Sequence, residues 1–321
     1  MTKVLITGAG GFIGSVLCER LLSEGYSVIG AQRSPKSFLS QRELEHVSID
    51  LNDQNIKWDA VLPGVDTVIH LAARVHVMRN NTADTLTAYR NINVHGTERL
   101  ARQAAELGVK QFVFMSSVKV NGEESSRPYT EFDAPAPIDS YGISKMEAEL
   151  KLRTIAAETR LALVILRPPL VYGPGVKANF LKLLQAVDRG RPLPFASVKN
   201  KRSLIYVENL VDAIVSCVRH PKASGQTYLV SDGEDVSTPE LIRMISVLLQ
   251  MPPRLFRVPE IFLHIAARIT GKRSMMDRLV GSLTVDSAKI REELDWHPPF
   301  TLPEGLGETV AWFRRNDMSS Q

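Results

Sequence analysis

The sequence predicts an α/β fold, a doubly wound parallel sheet with a smaller C-terminal domain interleaved with it. Three observations carry that expectation. Short apolar runs alternate with amphipathic segments down to about residue 170, the rhythm of strands joined by crossover helices. The first run, Lys3-Val4-Leu5-Ile6-Thr7, leads straight into Gly8-Ala9-Gly10-Gly11-Phe12-Ile13-Gly14. Beyond Pro168 the rhythm breaks into short pieces punctuated by Arg167-Pro168-Pro169, Tyr172-Gly173-Pro174-Gly175 and Met251-Pro252-Pro253.

Residues 3–7 read as a buried strand. The glycine stretch follows, and 15–23 has helical periodicity with Val16, Leu17, Leu21 and Leu22 apolar. Strand, glycine turn and helix together form the context of a Rossmann-type dinucleotide fingerprint. Gly8 permits the tight turn, Gly11 lets the backbone approach a pyrophosphate, and Gly14 allows close helix packing. The helix N-terminus, at Phe12 and Ile13, then faces the phosphates. Further strands are expected at 27–31, 67–71, 111–115 and 162–166, and helices near 84–107 and 140–158. Residues 203–207 and 226–230 read as strands returning to the same sheet. The expected division is 1–167 with 203–230 for the dinucleotide, 168–202 with 231–316 for the substrate, and a tail at 317–321. Residues 261–269 are apolar but interrupted by His264 and Arg268, and read as a packed helix.

At 321 residues, with 44% hydrophobic and 23% charged, the composition is that of a globular chain with a large core. The net charge of +4 is spread out, and the densest cluster, Lys199-Asn200-Lys201-Arg202, is too short for a nucleic-acid track but suits a phosphate. No run approaches the roughly 20 apolar residues that span a bilayer. The first apolar run is the nucleotide strand rather than a secretory leader. Cys18 and Cys217 sit in apolar periodic segments, so buried thiols in a reducing, cytoplasmic setting are expected. No metal site is expected.

Chemistry enters at Tyr141-Gly142-Ile143-Ser144-Lys145. A tyrosine and a lysine four apart share one helix face. A free phenol titrates at about 10, and an ammonium one turn away favours the phenolate, so the hydroxyl becomes a usable acid or base. Upstream, Phe112-Val113-Phe114-Met115 ends in Ser116-Ser117, a strand closing on hydroxyls.

The Gly-x-x-Gly-x-x-Gly spacing at 8, 11 and 14, with Ser116-Ser117 and Tyr141/Lys145, resembles the extended short-chain dehydrogenase/reductase family of nucleotide-sugar epimerases, dehydratases and reductases, over nearly the whole chain. The ending of the chain, Val285-Asp286-Ser287-Ala288-Lys289 and Leu294-Asp295-Trp296, matches that family too. The resemblance implies that Ser117 holds the substrate oxygen, Tyr141 transfers its proton, and Lys145 tunes the tyrosine and binds nicotinamide ribose. It makes Asp50-Leu51 the adenine-contacting pair, lets Leu71-Ala72-Ala73 pass close to the cofactor phosphates, makes Asn93 a support of the active-site backbone, and puts Pro168 beside the cofactor. For the substrate it implies Asn179 and Arg202 on a sugar-nucleotide diphosphate with Arg278 as a second clamp, and Ser116 and Lys119 near the sugar. Two arginines suit two phosphates.

After the second strand an acidic residue would accept the ribose hydroxyls of NAD, but the chain has Gln32-Arg33. A carboxylate repels a 2′-phosphate and arginine grips it, so NADP(H) is favoured over NAD(H). The family's 4,6-dehydratases carry Asp-Glu after the catalytic hydroxyl residue; here Val118 and Lys119 stand there, which disfavours dehydration. The family's epimerases often place asparagine where Leu170 stands, so the hexose contact differs. The expectation is a reductase acting on the 4-keto group of a UDP-linked 2-acetamido sugar in surface-polysaccharide synthesis. The alternatives are a UDP-sugar 4-epimerase and, in another class, a non-catalytic NADP-sensing regulator. A homodimer through the helices near 84–107 and 140–158 is the family expectation.

Overall fold

The computed structural model describes residues 2–33, 44–53, 55–75, 82–269, 271 and 273–318. In chain order these form β1 (Lys3–Thr7), α1 (Phe12–Ser23), β2 (Ser27–Gln32), β3 (Glu45–Ser48), β4 (Thr67–His70), α2 (Thr82–Tyr89), a π-helical stretch (Arg90–Gly96), α3 (Thr97–Glu106), β5 (Gln111–Met115), α4 (Ser140–Glu158) and β6 (Ala162–Arg167). There follow β7 (Leu170–Tyr172), α5 (Ala178–Asp188), β8 (Arg202–Tyr206), α6 (Val207–Arg219), β9 (Thr227–Leu229), β10 (Asp235–Val236), α7 (Thr238–Leu248), α8 (Glu260–Ile269), α9 (Arg273–Val280), α10 (Ala288–Leu294) and α11 (Leu302–Met318).

The main sheet has the order β3-β2-β1-β4-β5-β6-β9, and every pairing in it is parallel. The strand order reverses between β1 and β4, which opens the crevice where ligands bind in such sheets. Parallel strands need apolar cover on both faces. One cover is Leu17, Leu21, Val211 and Ile214 from α1 and α6; the other is Leu100, Ala104, Ala148, Leu152 and Ile155 from α3 and α4. Both cysteines are buried and free, Cys18 in α1 and Cys217 in α6. The α/β doubly wound sheet is thus as the sequence predicts.

One strand goes elsewhere. β9 returns to the sheet on β6, with Ile165 opposite Thr227, but β8 does not. It pairs parallel with β7 and antiparallel with β10 in a separate three-stranded sheet. The physical reason is that β9 takes the free edge of β6, while Pro168-Pro169 ends β6 and starts a short new strand for β8 to follow. Around this second sheet Phe180, Leu184, Ile242, Ile245, Leu306 and Phe313 make a core of their own. Two further expectations change. α11 continues to Met318, so a tail from 317 would begin inside a helix; 319–321 lie outside the described residues. α8 is only half packed, for Leu263 and Ala267 are buried while Ile261, Phe262, Ile265 and Ile269 are exposed.

Candidate active site

The glycine turn is shaped by close approach. Gly8 has φ +74, and a Cβ on it would stand 2.9 Å from the Ala72 nitrogen; one on Gly14 would stand 2.2 Å from the Gly8 oxygen. Only glycine fits either place. The stretch Leu71-Ala72-Ala73 passes directly against this turn, with the Leu71 N–H on the Thr7 carbonyl at 3.2 Å. α1 starts at Gly11 without a side-chain cap, so the first-turn N–H groups of Phe12, Ile13 and Gly14 are open to an anion. Gln32 lies over Gly10, its Oε1 2.0 Å from where a Cβ would be, and Arg33 is exposed beside it. Asp50 is exposed and accepts the Asn52 N–H at 3.0 Å. Leu51 is buried in the core, its carbonyl taken by Arg99 at 2.9 Å. An uncapped helix start, a glycine turn and a carboxylate-free strand end suit a dinucleotide's phosphates.

The catalytic candidates converge at the carboxyl end of β5. α4 begins at Asp139, whose side chain accepts the Gly142 N–H at 2.7 Å and so caps the helix that carries Tyr141 and Lys145. Lys145 is buried, and its Nζ donates to the Met115 carbonyl at 2.7 Å. It lies 4.5 Å from the centre of the Phe114 ring and 5.9 Å from that of Tyr141. Burial pushes this ammonium down to about 7. The Tyr141 hydroxyl moves the opposite way from the expected one. Burial, with Asp139 and Tyr89 nearby, pushes its pKa up, because desolvation of the phenolate outweighs an ammonium that is itself partly discharged. Ser117 caps the short turn 118–120; its Oγ accepts the Lys119 N–H at 3.3 Å, which leaves its own proton to donate. Pro168 is buried at the end of β6, and its carbonyl accepts the Val118 N–H at 3.0 Å, pinning the same turn.

Several of the expected site residues have partners within the protein. The Ser116 hydroxyl is buried and donates to Glu149 Oε1, while the Glu149 carboxylate is also gripped by Arg167. Its proton is committed inward, away from any substrate. Lys119 pairs with Glu123 at 2.6 Å and with Asp139, and so braces the cap of α4. Asn93, buried in the π-helical stretch, accepts the Arg74 N–H at 2.8 Å and donates to the Arg74 carbonyl at 3.1 Å and the Ser144 hydroxyl at 3.0 Å. Its amide is spent on the Arg74 backbone and on α4.

The sequence reading missed His70. Buried at the end of β4, it stands between Thr7 Oγ1 at 2.7 Å and Thr97 Oγ1 at 2.9 Å. Thr97 gives its own proton to the Asn93 carbonyl at 2.8 Å, so Nε2 of His70 must carry a hydrogen and Nδ1 must accept from Thr7. Burial, with Lys145 close by, lowers its pKa to about 3 and keeps it neutral. A hydrogen-bonded chain therefore runs from the Ala72 N–H through Thr7, His70, Thr97, Asn93 and Ser144 to the Tyr141 carbonyl. A histidine ending an apolar strand was its only signal. Arg74, whose Nε is buried without a partner among the described residues, gave none.

At the substrate side Arg202 donates to the Gly281 carbonyl at 3.0 Å. Burial and the neighbouring Arg278 both lower its pKa, so the two predicted clamps do come together. Nε of Arg278 is buried and has no partner among the described residues. Two adjacent guanidiniums with an orphaned donor mark a place for an anion. Asn179 is half-buried in the first turn of α5, next to Ala178 at φ +54, a left-handed conformation that costs a non-glycine residue energy and tends to occur at working sites. Gly175 of the same loop packs on the Phe12 ring, at 3.5 Å from the position of a Cβ, joining the loop before α5 to the start of α1.

Residues 4–231 match the model of the NAD dependent epimerase/dehydratase family. The chain belongs to that family. It is 44% identical over 317 residues to a UDP-glucose 4-epimerase of Vibrio cholerae, covering 97% of this chain and 95% of that one. It is 30% identical to a UDP-glucose 4-epimerase of Mycolicibacterium smegmatis, covering 97% and 98%. Among solved structures it is similar to MoeE5 in complex with UDP-glucose and NAD, at 28% identity and TM-score 0.80, with 98% and 99% covered. The protein is an NAD-dependent enzyme of the short-chain dehydrogenase/reductase type within the epimerase/dehydratase family. No helix among the described residues is long and apolar enough to cross a membrane.

Proposed function

We propose that this epimerase/dehydratase-family enzyme transfers hydride at C4 of a UDP-linked sugar, reducing a 4-keto 2-acetamido-deoxyhexose in surface-polysaccharide synthesis. The observation that carries the reading is Lys145, buried between the Met115 carbonyl at the end of β5 and the Tyr141 ring, with Ser117 two residues beyond Met115; the neighbouring Arg202 and Arg278 support an anionic substrate. In this reaction the bound nicotinamide supplies the hydride. The Ser117 proton hydrogen-bonds the ketone oxygen, and Tyr141, whose raised pKa keeps it protonated at neutral pH, donates its proton there as charge develops. Lys145 has one acceptor in Met115 and two donors left for ribose hydroxyls. Phe12, Ile13 and Gly14 would hold the pyrophosphate. Gln32-Arg33, with no carboxylate at the end of β2, supports NADP(H) over NAD(H).

C4 epimerisation uses the same residues, and the 44% identity to a UDP-glucose 4-epimerase favours it as the second reading. The deciding experiment offers a UDP-4-keto sugar with NADPH or NADH and, separately, UDP-glucose and UDP-N-acetylglucosamine without added cofactor. A reductase consumes one reduced nicotinamide per ketone; an epimerase interconverts gluco and galacto forms with no net consumption. Inertness towards all of these would end both readings. A homodimer and a cytoplasmic setting are part of the proposal. Leu150 stands exposed on α4 beside a hollow of about 500 Å³ lined by Arg90, Val94, Glu147 and Lys151, which supports pairing of α3 and α4 with a second copy.

A further inference from the structure

α8 leaves a large apolar surface in water. Ile261 is 65% exposed, Phe262 59%, Ile265 48% and Ile269 80%. At 3.6 residues per turn these four fall within an arc of about 100°, while Leu263 and Ala267 point the other way into the protein. Phe256, just before the helix, is exposed as well. Scattered exposed apolar residues are ordinary, but a continuous stripe marks a contact surface.

Charge selects the partner. The sequence from 254 to 273 carries Arg254, Arg257, Arg268, Lys272 and Arg273 against the single carboxylate of Glu260. That excess of four equals the net charge of the entire chain, +4, so the rest of the molecule is neutral in sum. An apolar stripe with cations at both ends is the pattern of a helix lying in the interface of an anionic bilayer. A symmetric contact with a second copy would set one cationic patch against another, which opposes pairing through this face.

We propose that α8 docks the protein on the surface of an anionic phospholipid bilayer, without spanning it. The apolar stripe enters the headgroup boundary and the flanking arginines meet the lipid phosphates. α8 packs on α9, with His264 Nδ1 3.7 Å from Asp277 Oδ1, and α9 carries Arg278. Docking therefore brings the arginine pair to within one helix of the membrane. The inference is independent of which C4 reaction the enzyme performs.

The test is co-sedimentation of the full chain with vesicles of phosphatidylcholine alone and of phosphatidylcholine with about one-third phosphatidylglycerol. Binding is expected to the anionic vesicles, to weaken at high salt, and to be at least about tenfold poorer on the neutral ones. Ile261→Asp with Ile265→Asp should reduce anionic-vesicle binding by about tenfold or more while nucleotide binding and thermal unfolding stay as in the parent. Ile269→Asp, at the most exposed position, serves the same purpose if the double variant folds poorly. Absence of binding to anionic vesicles overturns the proposal. So does unchanged binding by a folded variant, or a drop from dimer to monomer in the variants, which would assign the stripe to self-contact.

Discussion

The region behind α4 and the region around Arg202 are built on different principles. Behind α4 the polar groups satisfy one another: Thr7, His70, Thr97, Asn93 and Ser144 form one chain of hydrogen bonds. Around Arg202 donors are left over. Nε of Arg278 is buried without a partner among the described residues, Arg202 and Arg278 oppose each other, and Ala178 holds a left-handed backbone. A satisfied network is rigid and fixes geometry before anything binds. An unsatisfied one stores unfavourable energy that a ligand's charges relieve. The first region keeps its geometry constant, and the second responds to charge brought to it.

Four substitutions sharpen or break that contrast. Tyr141→Phe removes one oxygen from the constant side and leaves the ring against Tyr89. Turnover should fall by roughly 10²–10⁴-fold with the fold and nucleotide affinity intact; near-normal turnover would remove the tyrosine from the mechanism. Arg202→Ala removes a charged donor from the unsatisfied side. It should raise the apparent substrate constant by about 10–100-fold, corresponding to about 1.5–3 kcal/mol, and leave nucleotide titrations unchanged. Equal loss of nucleotide affinity would move Arg202 to the cofactor. Arg33→Ala should weaken NADPH more than NADH, and since Arg33 is exposed the differential should be about fivefold, corresponding to roughly 1 kcal/mol. The same loss for both would refute a 2′-phosphate contact.

The fourth is read in stability against pH. His70 is neutral in the folded state with a pKa of about 3, and takes up a proton at about 6.5 when unfolded. The unfolded state therefore binds more protons between those values. The stability owed to His70 is complete above about 6.5 and is lost as pH falls towards 3, by up to about 1.4 kcal/mol per unit. His70→Gln should lower the melting temperature at pH 7 and flatten this acid slope. An unaltered slope would mean that another group is responsible.

Much of this was legible in the chain because it is local. A strand, a glycine turn and a helix are adjacent in sequence, and Tyr141 and Lys145 are one turn apart. What was hidden depends on partners distant in sequence. The pairing of β8 with β7 was not visible, because a short apolar strand looks alike whichever sheet receives it. Lys119 looked available until Asp139, twenty residues on, was placed beside it. The phenol's pKa was misread for the same reason: spacing reports that an ammonium is near, while burial is a property of the packed whole. The exposed stripe of α8 has the same periodicity as a packed one. Both carry an apolar face, and only the tertiary structure decides what faces it.

The π-helical stretch Arg90–Gly96 bears on how this chain can change length. A π turn takes one more residue than an α turn, so the segment contains what amounts to an insertion within otherwise regular helix between α2 and α3. Deleting one residue there would let the α-helical ladder close and leave the flanking helices near their present register, because the wide turn is what absorbs the extra residue. The turn itself would be lost, and with it the position from which Asn93 reaches Arg74 and Ser144. The helix can therefore survive a shortening that the hydrogen-bonded chain between β4 and α4 cannot.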